Sequence, residues 1–224
     1  IYYINRAFSN IHLNKPKEAI EDCDKAINLD PKQPSAFLNR GYAENDLGKY
    51  NEAIADYNLA ITLNPQTSNV FNNRGFAKSN IGDYKGALAD YNEAIKQDPK
   101  SLLAYGNRIT LNEKLNNLNN VIADCDIVIS LNPTLSIAFI SRGFAKSKLG
   151  KYQDAISDYN EAIRLDPNSA VAFYDLATAE FYTNEIDEAI KDCNTSLDLN
   201  PQYTDVYDLR SYLYQKKGAY KQAV

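Results

Sequence analysis

Apolar and small residues recur along this chain at helical spacing, and the pattern itself recurs. Between residues 35 and 64, Phe37, Gly41, Tyr42 and Leu47 mark one stripe, and Ala53, Ile54, Tyr57, Ala60 and Ile61 mark a second. Residues three and four apart share a helix face, so each stripe predicts an amphipathic helix. Gly48 follows Leu47, where a helix-ending glycine belongs. Asn64-Pro65 closes the second helix, because the residue before proline is pushed out of the α region. Pro31, Pro65, Pro99, Pro133, Pro167 and Pro201 then stand 34 residues apart without a slip. Self-similarity at a fixed period marks a stacked repeat protein. The expected units are 1–33, 34–67, 68–101, 102–135, 136–169 and 170–203, with a partial seventh at 204–224. Together they predict one all-α solenoid over 1–224, each unit touching mainly its neighbours.

Equivalent slots carry equivalent chemistry. Gly82, Gly150 and Gly218 repeat the turn of Gly48, while Asn116-Asn117 stands at that turn in the fourth unit. Ser68, Ser101, Ser136, Ser169 and Thr204 are placed to cap the next helix. An aromatic opens each first helix, at Tyr3, Phe37, Phe71, Tyr105, Phe139, Phe173 and Tyr207, and its burial should contribute about 1.5–3 kcal/mol. Ala19, Ala53, Ala87, Ala155 and Ala189 allow close helix approach. Gly41, Gly75 and Gly143 accompany Tyr57, Tyr91 and Tyr159, whereas Ala7, Ile109 and Ala177 accompany Cys23, Cys125 and Cys193. Volume traded in this way implies contact between the two slots. Arg6, Arg40, Arg74, Arg108, Arg142 and Arg210 share one slot of the first helix, with Leu176 the exception. Asp22, Asp56, Asp90, Asp124, Asp158 and Asp192 share one slot of the second. An Arg–Asp ladder is expected, within or between repeats.

The period, the aromatics, the small residues and the closing prolines resemble the tetratricopeptide repeat (TPR) over the whole chain. The tryptophan that many TPRs carry at the first aromatic slot is replaced by Tyr or Phe. The resemblance implies a right-handed superhelical solenoid of antiparallel helix pairs whose first helices line a concave groove. Carried over by slot, Asn5, Asn39, Asn73 and Asn107 face that groove, and Ser141 and Asp175 continue the row. An amide both donates and accepts hydrogen bonds, so such a row can hold the backbone of an extended peptide. This resembles the asparagine ladder of the O-GlcNAc transferase TPR superhelix. One turn further on, Phe8, Tyr42, Phe76 and Phe144, with Tyr212, are expected as apolar walls; Thr110 and Thr178 interrupt them.

Composition narrows the function. Net charge is −5, from 24 basic and 29 acidic residues, which disfavours a general nucleic-acid binder. The acidic balance and the recurring Asp/Asn-Pro closure also point away from RNA-binding pentatricopeptide proteins. No apolar run approaches a membrane span. His12 is the single histidine, so no histidine-based metal cluster is expected, and no glycine-rich phosphate loop occurs. The three cysteines lie two or three repeats apart, too far for disulfides, and read as buried small hydrophobes of a reducing compartment. The chain has no Met and opens inside a helical pattern, which reads as a piece of something longer.

The resulting expectation is a non-catalytic scaffold, without cofactor or metal. It should bind a protein or peptide ligand, an extended segment or a helix, in its groove, with neither nucleic acid nor membrane as partner. A cytoplasmic location and weak self-association through open solenoid ends are expected. An alternative is the substrate-recognition arm of a larger enzyme such as a glycosyltransferase. Asn5 to Ala7 and Asp22-Cys23 also resemble co-chaperone TPRs that clamp acidic C-termini. That clamp needs basic residues at slots held here by Ser35 and Asn39, Asn69 and Asn73, and Leu103 and Asn107.

Overall fold

The computed structural model describes residues 1–223, with side-chain surroundings through Gly218; the side chains of 219–224, which end the expected seventh repeat, lie outside the described residues. Among the described residues there are thirteen helices and no strand. They fall into two compact units, Ile1–Leu111 and the residues from Asn112 on. In the first unit, α1 (Tyr2–His12) pairs with α2 (Pro16–Leu29), α3 (Pro34–Asp46) with α4 (Tyr50–Leu63), and α5 (Ser68–Asn80) with α6 (Tyr84–Gln97). This unit ends within α7 (Leu102–Lys114). Helices α1 to α6 pack in chain order, and first helices also meet, α1 on α3 and α3 on α5. The second unit continues with α8 (Leu118–Leu131), α9 (Ser136–Lys148), α10 (Tyr152–Leu165), α11 (Ala170–Tyr182), α12 (Ile186–Leu199) and α13 (Thr204–Ala223). Its packing has the same form, with α9 on α11 and α11 on α13.

The turns follow from two local devices. Gly48, Gly82 and Gly150 take positive φ of 71°, 86° and 76°, and Asn14, Asn116 and Asn184 take 56°, 57° and 68° at the same slot. Glycine adopts this region without steric cost, and asparagine tolerates it. Gly218 does not stop a helix, because α13 runs through it; glycine permits the turn without imposing it. The second device is the residue before each closing proline. Asp30, Asn64, Asp98, Asn132, Asp166 and Asn200 each accept, on a side-chain oxygen, the N–H two residues on, at 3.0–3.2 Å. These are Asx turns, and they explain why the position alternates only between Asp and Asn.

The expected serine caps hold in part. Ser101 and Ser169 accept from the N–H groups of Ala104 and Ala172, each at 3.3 Å. Ser68, Ser136 and Thr204 are instead the first residues of their helices. Ser68 donates its hydroxyl to the Ala94 carbonyl at 3.0 Å, so it ties α5 to α6.

Between paired helices the packing is close. Ala19, Ala53, Ala87, Ala155 and Ala189 are fully buried. A Cβ on Gly41, Gly75 or Gly143 would come within 2.7–2.8 Å of the ring of Tyr57, Tyr91 or Tyr159. Ala7 shares a cluster with Cys23, and Ala177 with Cys193. The glycine and tyrosine slots are therefore in contact, and the alanine and cysteine slots share one core cluster. The opening aromatics are less uniformly buried than expected: Phe37, Tyr105 and Phe139 are buried, Tyr3, Phe71 and Phe173 half-buried, and Tyr207 exposed.

The arginine slot adds a second contact to most of these rings, buried or not. Six arginines lie with the guanidinium 5.3–5.7 Å from the centroid of the aromatic three residues earlier, a cation–π distance. Arg6, Arg40, Arg74 and Arg142 each grip the aspartate of their own repeat, Asp22, Asp56, Asp90 and Asp158, through two guanidinium nitrogens. A further nitrogen reaches back to the second helix of the preceding repeat. Arg40 donates to Asp24, Arg74 to Asn58, Arg108 to Asn92, Arg142 to Asp126 and Arg210 to Asn194, at 2.5–2.8 Å. The ladder runs both within and between repeats, and these arginines are occupied by acceptors of the chain itself.

Repeats differ in what supports the aspartate. Lys78 and Lys146 add a second cation to Asp90 and Asp158, each at 2.8 Å. Glu44 occupies the same slot beside Asp56, and burial, with Asp56 adding, pushes its carboxyl up to about 7. In the sixth repeat Leu176 replaces the arginine, and the buried Glu180 faces Asp192. Burial and mutual repulsion push the Glu180 carboxyl up.

Two outcomes follow from this packing. Gly41→Ala should cost about 1–3 kcal/mol in urea denaturation, and less in a Tyr57→Cys background, which leaves room for the methyl group. Arg40→Ala should cost about 3–5 kcal/mol, because it leaves Asp56 buried beside Glu44 with no cation. Arg74→Ala should cost less, since Lys78 remains on Asp90; equal losses would show that the second cation does not matter.

Candidate functional site

Spacing along α1, α3 and α5 puts residues four apart on one face, and that face forms a cleft. The cleft holds about 290 Å³ and is lined by Phe8, Ile11 and His12 of α1, Leu38, Asn39 and Tyr42 of α3, Asn69 and Asn73 of α5, and Leu103 of α7. Phe8 and Tyr42 are 55% and 44% exposed, so large rings stand at its wall with water as their alternative neighbour. The His12 and Phe8 rings lie 4.2 Å apart. His12 Nδ1 is 2.8 Å from the Phe8 carbonyl. A carbonyl only accepts, so this nitrogen carries the proton, and Nε2 of the neutral ring is left as an acceptor.

Of the residues expected to line the groove, the cleft brings together Asn39, Asn73, Phe8 and Tyr42. Asn5 is exposed on α1, outside the lining. Asn107 is half-buried and donates Nδ2 to Asn72 Oδ1 at 2.9 Å. Phe76 sits edge-on to Tyr50, with ring centroids 6.5 Å apart. Phe144 belongs to the second unit, where Lys148 lies 5.3 Å over its ring.

The amides of the row are unequal. Asn39 is buried, and its Nδ2 donates to the Ile4 carbonyl of α1 at 3.3 Å; this bond ties α3 to α1. Asn73 is half-buried, accepts on Oδ1 from Asn72 Nδ2 at 3.3 Å and lines the cleft. Buried Asn72, missed in the sequence, links Asn73 to Asn107. Its signal was an amide at the slot held by Leu38 and Ile140 in other repeats. Ile11, Leu38, Asn69, Leu103 and His12 were not expected in the lining either. Asn69 and Leu103 occupy the slot where a carboxylate clamp would need a basic side chain, and the cleft lining contains neither lysine nor arginine.

In the second unit the row continues as Ser141 on α9 and Asp175 on α11. Ser141 hydrogen-bonds Glu113, whose carboxyl burial pushes up.

Models of the tetratricopeptide repeat match residues 2–33, 68–101, 136–169 and 170–203, and a TPR repeat model matches 41–82. The chain belongs to the tetratricopeptide repeat family. No curated protein matches it. Among solved structures, the C-terminal part of a TPR repeat-containing protein from Cytophaga hutchinsonii is similar, with TM-score 0.80 and 20% identity over 96% of this chain and 88% of that one. PilF of Pseudomonas aeruginosa gives TM-score 0.79 and 15% identity, covering 94% of this chain and 96% of that one. YrrB, described as a TPR protein with an unusual peptide-binding site, gives 0.73 and 18%, covering 84% and 97%. At these identities the likeness speaks for the fold. Among the described residues no helix is long and apolar enough to cross a membrane.

Asn39 and Asn69 should therefore respond differently to truncation in the free protein. Asn39→Ala should lower stability by about 1–2 kcal/mol, because it removes the donor to a half-buried carbonyl. Asn69→Ala, at an exposed position, should stay within about 0.5 kcal/mol of the parent in thermal melts.

Proposed function

We propose that this chain is a protein-interaction scaffold whose first unit holds an extended segment of a partner protein in the cleft of α1, α3, α5 and α7. The observation that carries this reading is the composition of the cleft. Amides of Asn69 and Asn73 stand beside apolar walls of Phe8, Ile11, Leu38, Tyr42 and Leu103. Amides suit a peptide backbone, and the walls suit one apolar side chain, the usual division between polar orientation and apolar affinity. With no cation in the lining, an acidic terminus has nothing to pair with there, so an uncharged, apolar anchor residue fits best. The net charge of −5 favours protein over nucleic acid as the partner. The peptide-binding site described for the similar protein YrrB supports the same use of the fold.

The test starts from peptides selected by the intact chain from a phage-displayed random library. Their affinities would then be measured by fluorescence polarisation. Tyr42→Ala and Asn73→Ala should each weaken binding about tenfold or more, equivalent to about 1.4 kcal/mol, with unchanged helical circular dichroism. Selected peptides indifferent to both substitutions would overturn the cleft as the binding site.

A further inference from the structure

The row that includes Asn39 and Asn73 in the first unit places Asp175 in the second, on α11. Asp175 is half-buried, and among the described residues it makes no hydrogen bond and no ion pair. A carboxylate withdrawn from water without a partner is costly. Elsewhere this molecule meets that cost with arginine, at Asp22, Asp56, Asp90 and Asp158. At Asp175 no cation of the chain does so.

The surroundings narrow what would. Lys148 of α9 is the cation facing Asp175; its Nζ lies 5.3 Å from the Phe144 ring centroid and makes no ion pair with Asp175. The remaining groups that feel its charge are tyrosines: Tyr159 of α10, which is fully buried, and the half-buried Tyr174, adjacent in sequence, and Tyr203 just before α13; Asp205, at the start of α13, acts on Tyr174 and Tyr203. The rings of Tyr174 and Tyr203 are 5.1 Å apart and tilted by 50°. Aromatic faces beside a carboxyl suit a long cationic side chain, whose stem packs on the rings while its head meets the charge.

We propose that Asp175 receives a lysine or arginine side chain from an extended segment of a partner protein lying along α9 and α11. The inference rests on the reading of the chain as an interaction scaffold, but not on the cleft of the first unit. It has a pH signature. Burial pushes the Asp175 carboxyl up to about 7, against a smaller downward pull from Lys148. A cation pairs with the ionised form, so below pH 7 its binding must expel a proton. Affinity for a basic peptide should rise as pH rises to about 7 and level off above it, about tenfold weaker at pH 6 than at pH 8.

The experiment pans a phage-displayed random dodecapeptide library at pH 8 on the parent chain, Asp175→Asn, Asp175→Ser and Tyr42→Ala. Serine already fills this slot at Ser141, so the second variant keeps the test valid if the first misfolds. The expected result is a recurrent Lys or Arg position with the parent and with Tyr42→Ala, absent from both Asp175 variants. A synthetic copy of a selected peptide should bind the parent about tenfold more weakly at pH 6. A basic position that is absent from the parent, or persists in the Asp175 variants, overturns the proposal, as does binding independent of pH. If the basic position is lost with Tyr42→Ala and kept with Asp175→Asn, this proposal fails while the cleft reading stands.

Discussion

The structure depends on what one guanidinium can hold at once. Each ladder arginine lies over an aromatic of its own helix, and Arg40, Arg74 and Arg142 each grip an aspartate of their own repeat and a polar side chain of the repeat before. Three helices therefore meet on a single planar, five-donor fork. Lysine has the charge but not the geometry, which is why Lys78 and Lys146 supplement the ladder aspartates without replacing the arginine. Asp22, Asp56, Asp90 and Asp158 are almost wholly buried. The fork offsets the cost of burying these carboxylates by satisfying both their oxygens.

Much of this architecture was legible in the sequence, because a period of 34 places each residue against the same neighbour in every unit. The Gly–Tyr pairings were readable as contacts for that reason: a large ring and a Cβ cannot share the space at Gly41. The backward reach of the arginine was not readable. Its acceptor changes from Asp24 to Asn58, Asn92, Asp126 and Asn194, and polar residues on an exposed helix face occur everywhere in this chain. Gly218 shows the opposite limit, since the residue that permits a turn sits inside a helix.

The candidate cleft was legible by slot and not by role. Asn39 and Asn73 occupy equivalent positions, yet one spends its donor on the Ile4 carbonyl and the other accepts from Asn72. Slot identity fixes direction, whereas the hydrogen bonds depend on a neighbour one residue away that differs between repeats. Asn72 replaces an apolar residue and draws Asn73 and Asn107 into a chain of amides. The two units also diverge in chemistry along one row. Neutral amides and apolar walls characterise the first, and an unpaired carboxyl among tyrosines the second.

The constant offsets of the arginine fork also set how the chain can change in length. Its partners lie three residues back, sixteen forward and sixteen back. Excising or duplicating one whole period brings an equivalent aspartate and an equivalent acceptor into register with every fork. An insertion of any other length inside a helix, between the fork and its ring or ahead of the partner aspartate, turns a partner away from the guanidinium and strands a buried carboxylate, whereas a turn can bulge. The fold therefore grows and shrinks in quanta of a single repeat, and its surface can be extended or shortened without redesigning its interior.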